Sequence, residues 1–406
     1  MSVNTDRSYK MKLRDVENAF KYRRIPYPKR SVELIALLAI SCTFFLFMHT
    51  NKLNSRLKEM EVKLQPSEFS ALGLTGNHIS GHDAGKHDDI NTLHGTYQYL
   101  KSTGQLQHLT SAQLNNTSHS KLDTLFFNRV PKTGSEKLMA LLKLLAKRNN
   151  FEARRDPEQL LETILIDNGF ARHLLDAEIL NCSTPNSYTK HVAFVIFAAY
   201  QKPWPIYINL VRDPIERLIS WFYYARAPWY LADRANTFGE AYKMPSSEWL
   251  QKDFNRCVLE RDPECVYEQL EMGNLGDHRR QTLFFCGQNL KICMPFNSLE
   301  AMQRAKRNVE KRYAVVGTWE DTNTTLSVLE TYIPRFFAGA RDEYYAMQRQ
   351  VENVNRNALR PTISEETRLL LSRNLTHEIE FYQFARQRLN KQYIAHHLER
   401  DRSVSG

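Results

Sequence analysis

The chain has 406 residues, 25% of them charged, and a formal net charge of +10. That length accommodates a short tail, a stem and one large domain. The basic balance suits a polyanionic partner; with no RNA- or DNA-binding signature beside it, nucleic acid is set aside as that partner.

Residues 1–31 form a tail carrying Arg7, Lys10, Lys12, Arg14, Lys21, Arg23, Arg24, Lys29 and Arg30. Leu34 to Met48 is then an uninterrupted apolar and small-residue run, close to the lower limit of about 17 residues for crossing a bilayer. Residues 32–50 read as a transmembrane signal-anchor, with the basic flank cytoplasmic and the C-terminal bulk lumenal, a single-pass type II topology. A cleaved signal peptide is the competing reading, but the charged leader is long and lacks an Ala-x-Ala site. A short span suits the thinner early secretory membranes, so the expected location is the Golgi membrane.

Sequons at Asn115, Asn116, Asn181, Asn323 and Asn374 agree with lumenal exposure, although such triplets also arise by chance. Cys257 and Cys265 are eight apart, and Cys286 and Cys293 seven apart. In an oxidising lumen these read as two small-loop disulfides. Neither pair has zinc-site spacing, and no metal is expected. Cys42 lies in the span and Cys182 is left over.

Residues 51–120 read as a lumenal stem. Leu53, Leu57, Met60 and Leu64 follow heptad spacing, as a short coiled coil or a solvated helix would, and weakly suggest a homo-oligomer. Gly73 to Gly85 and Ser102 to Ser120 read as linker. His78, His82, His87 and His94 lack regular spacing and belong to a polar stem rather than a metal cluster.

The folded domain is expected over 121–395, followed by a tail at 396–406. Its elements are a strand (Leu125–Asn128), a helix (Glu136–Lys147), a helical stretch (Pro157–Leu180), strands at Val192–Phe197 and Ile206–Val211, a helix (Ile215–Ala225) and a strand (Tyr313–Gly317). A helical end runs from Ser364 as N-cap to about Leu389. Alternating strands and helices make this an α/β chain with a central parallel sheet covered by helices on both faces.

Two basic turns, Arg129-Val130-Pro131-Lys132-Thr133-Gly134-Ser135 and Arg212-Asp213-Pro214-Ile215-Glu216-Arg217-Leu218-Ile219-Ser220, each follow a strand and open a helix. A helix N-terminus offers unpaired N–H groups and partial positive charge, so both turns are expected to seat phosphate or sulfate. Gly-x-x-x-x-Gly-Lys-Ser/Thr cannot be fitted to the first. The pair resembles the 5′- and 3′-phosphosulfate-binding motifs of sulfotransferases, a resemblance that implies Lys132, Thr133, Gly134 and Ser135 on a sulfonate and 5′-phosphate, and Arg212 and Ser220 on a 3′-phosphate. His191, beside an apolar run, is the candidate general base.

Asn128-Arg129-Val130-Pro131-Lys132-Thr133, His191-Val192, Tyr207 through Leu218, Phe284-Phe285-Cys286-Gly287, Ile333-Pro334-Arg335-Phe336-Phe337 and Glu380 through Ala385 together resemble the uronosyl 2-O-sulfotransferases. That family includes the heparan sulfate and uronyl enzymes, and the chain is most similar to its insect dorsoventral-patterning branch. The resemblance runs from about Asp123 to Leu389. It implies a P-loop-like sulfotransferase fold and a Golgi enzyme moving sulfate from 3′-phosphoadenosine 5′-phosphosulfate (PAPS) to the 2-hydroxyl of a uronic acid in a glycosaminoglycan-like chain or a glycoprotein glycan. It also implies His191 as base, Lys132 at the donor, Arg212 and Ser220 on the 3′-phosphate, Arg129 on the acceptor and the two disulfides.

Two departures stand out. Glu136 and Lys137 follow Ser135 where the family often has hydroxyl residues, which puts donor affinity in question. Thr189 stands two positions before the base, where the heparan branch has a second His. Further acceptor contacts are expected from Arg226, Arg234, Arg279, Arg280, Arg356 and Arg360, with Trp229 and Tyr230 stacking on sugars. A metal-dependent glycosyltransferase would need Asp-x-Asp, which is missing. A catalytically weak or inactive sulfotransferase-fold protein that binds sulfated glycans is the alternative.

Overall fold

The computed structural model describes Met48 and residues 90–404, apart from 163, 167–168, 170–172, 175–178, 180–183, 273–278 and 352–360. The tail, the expected span up to Met48, the heptad segment, Asn181, Cys182, Arg356 and Arg360 lie outside the described residues. Among the described residues no helix is long and apolar enough to cross a membrane.

Five strands, β1 (Lys121–Asn128), β2 (Glu152–Arg155), β3 (Asn186–Lys190), β4 (Pro205–Leu210) and β5 (Tyr313–Gly317), form one sheet in the order β2-β3-β1-β4-β5. Every pairing is parallel. The longer helices are α1 (Leu93–Ser102), α2 (Ser135–Arg148), α3 (Pro214–Ala225), α4 (Pro228–Phe238), α5 (Leu299–Arg312), α6 (Thr322–Tyr332), α7 (Ala340–Val351), α8 (Glu365–Asn374) and α9 (Thr376–Val404).

Strand side chains alternate between faces, so one strand feeds two cores. Leu125, Phe127, Ile206 and Ile208 join Leu138, Leu141, Leu142 and Leu145 of α2 and Leu329 of α6 in one layer. Phe126, Tyr207 and Tyr313 join Phe194, Phe284 and Phe381 in the other. The Leu stripe expected along α2 is therefore its buried face.

Three local expectations are corrected. Val192–Phe197 is not a strand; the strand is the polar but buried run Asn186–Lys190 just before it. The apolar segment leaves the ladder because its backbone finds partners elsewhere. Ala193 N donates to Ile164 O and Phe194 N to Phe284 O, both at 2.9 Å, and the Tyr207 hydroxyl donates to Val195 O at 2.9 Å. The helical stretch expected from Pro157 is irregular through its first described residues, and the edge strand β2 was not expected.

Residues 90–120, assigned above to the stem, pack on α9: Leu100 and Leu109 join Ile394 and Ala395 in a small core. The helical end is also longer than expected, since α9 runs through the supposed tail to Val404. Both disulfides form, Cys257–Cys265 and Cys286–Cys293. Of the described sequons, Asn323 is exposed. Asn116 Nδ2 is committed to Glu310 O and Tyr313 O at 2.8 Å each, which makes it a poor glycan acceptor.

Candidate active site at the carboxyl edge of the sheet

In an open parallel sheet, ligands bind beyond the carboxyl ends of the strands, where successive connections diverge. Here β1 is central, with β3 on one side and β4 on the other. The loop 129–135 leaves β1, His191 leaves β3, Arg212 follows β4, and Thr318-Trp319 follows β5. A buried amide network locks this edge. Asn128 Nδ2 donates to Phe284 O at 2.9 Å, while Asn128 Oδ1 accepts from the Tyr313 hydroxyl at 2.9 Å and from Asn209 Nδ2 at 3.1 Å.

The first loop has the shape of an anion cradle. Lys132 and Gly134 both adopt positive φ, +64° and +88°, a backbone pattern that turns N–H groups inward. Gly134 caps α2 without any side-chain hydrogen bond; Lys137 N donates to Gly134 O at 3.1 Å, so the Ser135 and Glu136 N–H groups and the dipole are what the turn offers a ligand. This arrangement fits the phosphosulfate of PAPS. Thr133 differs from expectation: its hydroxyl donates to Val130 O at 2.9 Å and braces the loop. Ser135 is buried as the first residue of α2. Gly134 is needed for space as well as conformation, because Trp319 Nε1 donates to Gly134 O at 2.6 Å and the indole covers its Cα.

The second turn works differently from the first. Asp213 caps α3 by accepting from Glu216 N at 2.9 Å, so this N-terminus already holds a carboxylate and is corrected as a phosphate seat. Burial, above all, raises the Asp213 pKa. What this turn offers an anion is the Arg212 side chain, whose Nη1 donates to Lys132 O at 3.2 Å and ties the two turns together. Its competing ion pair with Glu216 is long, 4.0 Å. Gln281 clasps the Arg212 backbone in both directions, and buried Glu378 in turn accepts from Gln281 N at 2.8 Å. Ser220 is half-buried in the second turn of α3.

His191 sits directly beyond the last residue of β3, with Nδ1 3.0 Å from Arg129 O. A carbonyl can only accept, so Nδ1 carries the proton in that contact, and in the neutral ring the lone pair lies on Nε2, the nitrogen a base uses. The preceding Lys190 is buried against Asp156 at 2.7 Å, which anchors the strand end.

Lys132 Nζ stands 3.4 Å over the Tyr224 ring, and Tyr230 packs on that ring at 4.5 Å. Burial first, then the Arg212 guanidinium, lower the Lys132 pKa to about 8, with Glu136 opposing. The folded value lies below the unfolded one. Protonation thus costs stability below about pH 8, a cost that fades as pH rises towards the unfolded value. For an anionic donor the direction reverses: affinity is expected to weaken above pH 8, by up to about tenfold per unit. Calorimetric titration with 3′-phosphoadenosine 5′-phosphate from pH 7 to 9 checks this, and Lys132→Arg should remove the alkaline limb.

Among the proposed acceptor residues, Arg129 belongs to the site: its carbonyl holds His191 and its guanidinium pairs with Glu136. Arg226 does not. It is buried between the Phe222 and Trp249 rings, donating to Trp249 O, Phe222 O and Glu264 Oε2. Arg226→Met is expected to cost about 2–4 kcal/mol of stability without changing acceptor KM, read from denaturant unfolding beside kinetics. Arg234 straps the segment before Glu162 by donating to Gln159 O and Leu160 O. Arg279 pairs with Glu271, and Arg280 is fully buried. Trp229 remains exposed. Trp319, Tyr224, Gln281 and Glu378 escaped the sequence reading because each meets the site only through the fold.

This sheet edge, with its cradle, arginine clasp and oriented imidazole, is that of a group-transfer enzyme acting on phosphorylated or sulfated ligands. A family model described as the sulfotransferase family matches residues 116–385, and the chain belongs to that family. It is similar to the uronyl 2-sulfotransferase homolog pip of Drosophila melanogaster, at 52% identity over 97% of this chain and 95% of the relative. Mouse heparan sulfate 2-O-sulfotransferase 1 is 30% identical over 68% of the chain and 73% of that protein. Mouse uronyl 2-sulfotransferase is 28% identical over 65% and 61%.

Proposed function

We propose that this enzyme transfers sulfate from PAPS to the 2-hydroxyl of a uronic acid in a glycosaminoglycan or related glycan. The observation carrying the proposal is the convergence on one loop: Arg212 reaches Lys132 O and His191 is held by Arg129 O. When bound, the donor supplies an activated sulfuryl group whose leaving portion is 3′-phosphoadenosine 5′-phosphate.

The chain's residues then divide the work. The first-turn N–H groups of α2 and the Lys132 ammonium neutralise charge that builds on the leaving oxygen. Arg212, held by Gln281, takes the 3′-phosphate, with Ser220 adding a hydroxyl. His191 Nε2 accepts the proton of the acceptor hydroxyl as its oxygen bonds to sulfur. Arg129 meets the acceptor's negative charge, and exposed Trp229 offers a face for a sugar ring.

The basic tail and short apolar run support a single-pass type II protein of the Golgi membrane with its catalytic domain lumenal; protease protection of microsomes carrying the chain tests that topology. The enzymatic reading is tested by incubating the full-length purified chain with labelled PAPS and desulfated heparan, dermatan and chondroitin. Label on a uronic acid 2-hydroxyl is the expected result. Absence of both transfer and nucleotide binding in a folded sample overturns it in favour of a glycan-binding protein without turnover.

A further inference from the structure

Glu136 stands in the first turn of α2 and its carboxylate pairs with Arg129 Nη1. The two partners are unlike: the Arg129 side chain is 11% exposed and that of Glu136 is 72% exposed. Arg129 Nε is buried with no hydrogen-bond partner, so the guanidinium retains donor capacity facing no acceptor. Arg129 also lies within electrostatic reach of Glu162, whose Oε2 is buried without a partner. The Glu136 charge acts as well on Lys132 and Tyr224.

The carboxylate of this pair stays largely in water, which screens and weakens its hold on Arg129. An incoming carboxylate or sulfate can therefore exchange with Glu136 at little cost, while a strong buried pair could not be displaced. The helix dipole favours a carboxylate at this first-turn position, so Glu136 stays nearby after exchange and repels further negative charge. We infer that Glu136 is a specificity-determining residue, a displaceable carboxylate on Arg129 that competes with the anionic acceptor and disfavours acceptors bearing extra charge beside the reacting sugar. This deepens the proposed function and rests on it for the identity of the acceptor.

The test is a double-mutant cycle on the full-length chain in detergent: wild type, Glu136→Gln, Arg129→Met and the double variant. Glu343→Gln, which removes a carboxylate paired with Arg148 at 3.2 Å, serves as the charge control. Calorimetry reads affinity for fully desulfated heparin and for native heparin. Glu136→Gln is expected to tighten both by about 3- to 10-fold, the sulfated chain more, and the gain is expected to vanish on Arg129→Met. No tightening, tightening equalled by Glu343→Gln, or a gain that survives loss of Arg129 overturns the inference. Sulfate transfer is measured on the same wild-type sample. Nucleotide binding is measured beside it: absence of both sinks the enzymatic reading, while the binding cycle still decides whether Glu136 competes for Arg129.

Discussion

Replacing His191 with alanine is expected to lower sulfate transfer by about 10²–10⁴-fold, the usual contribution of a positioned general base. Binding of 3′-phosphoadenosine 5′-phosphate should be unchanged, because the cradle is built from the β1–α2 loop and Arg212. The imidazole is oriented by a main-chain carbonyl, Arg129 O, so no side-chain substitution can remove its orienting partner directly. His191→Gln should behave like alanine: it keeps polarity and bulk but has no basic nitrogen. Labelled-sulfate kinetics and calorimetry on the same preparations decide the matter. A variant retaining more than about a tenth of wild-type turnover would assign the base elsewhere.

Gly134→Ala should damage the site through space and backbone together. A Cβ placed there falls 1.7 Å from Trp319 Cδ1, and the residue has φ +88°. The indole cannot easily retreat, since it stacks on Tyr344 at 5.2 Å and donates to Gly134 O. Overpacking together with the left-handed backbone predicts about 2–4 kcal/mol of destabilisation. The helix N-terminus shifts with it, so donor binding should fall at least about tenfold. Denaturant unfolding and nucleotide titration measure the two effects. Adding Trp319→Ala relieves the clash but not the backbone strain, so it should restore part of the loss. Full additivity of the two substitutions would show that the indole is not the obstacle.

Much of the sheet was legible because apolar alternation and helical spacing are local signals. β1, β4, β5, the α2 stripe and the Ser364 cap, which accepts from Thr367 N at 3.1 Å, could all be read from adjacent residues. β3 could not. Its Asn-Ser-Tyr-Thr-Lys run is polar yet wholly buried, with Lys190 met there by Asp156. The neighbouring Val192–Phe197 segment carries the better strand pattern and is not a strand, because pattern reports burial and cannot report which partner satisfies the backbone.

The site divides along the same line. Lys132, Gly134, His191 and Arg212 each follow a strand end, a placement that local sequence signals. Arg226 and Arg234 are indistinguishable in sequence from groove arginines, and only their carbonyl partners show that they are fastening the fold. That the second helix N-terminus is already occupied was legible in Asp213-Pro214-Ile215-Glu216, an N-cap Asp before Pro with Glu three residues on.

The pairing of α1 with α9 bears on how the chain acquires its structure. Gln387 Nε2 donates to Asn91 Oδ1 and Asn390 Nδ2 to Asn91 O, contacts that close loops of 296 and 299 residues. Such separation is slow to close and depends on the whole intervening chain being present. During synthesis Leu100 and Leu109 emerge long before their partners Ile394 and Ala395 and wait, uncovered, until α9 is made. The N-terminal edge of the domain is thus the part most in need of chaperones. A premature stop after Leu389 would leave the sheet and its site encoded in full, yet strand that edge without its cover.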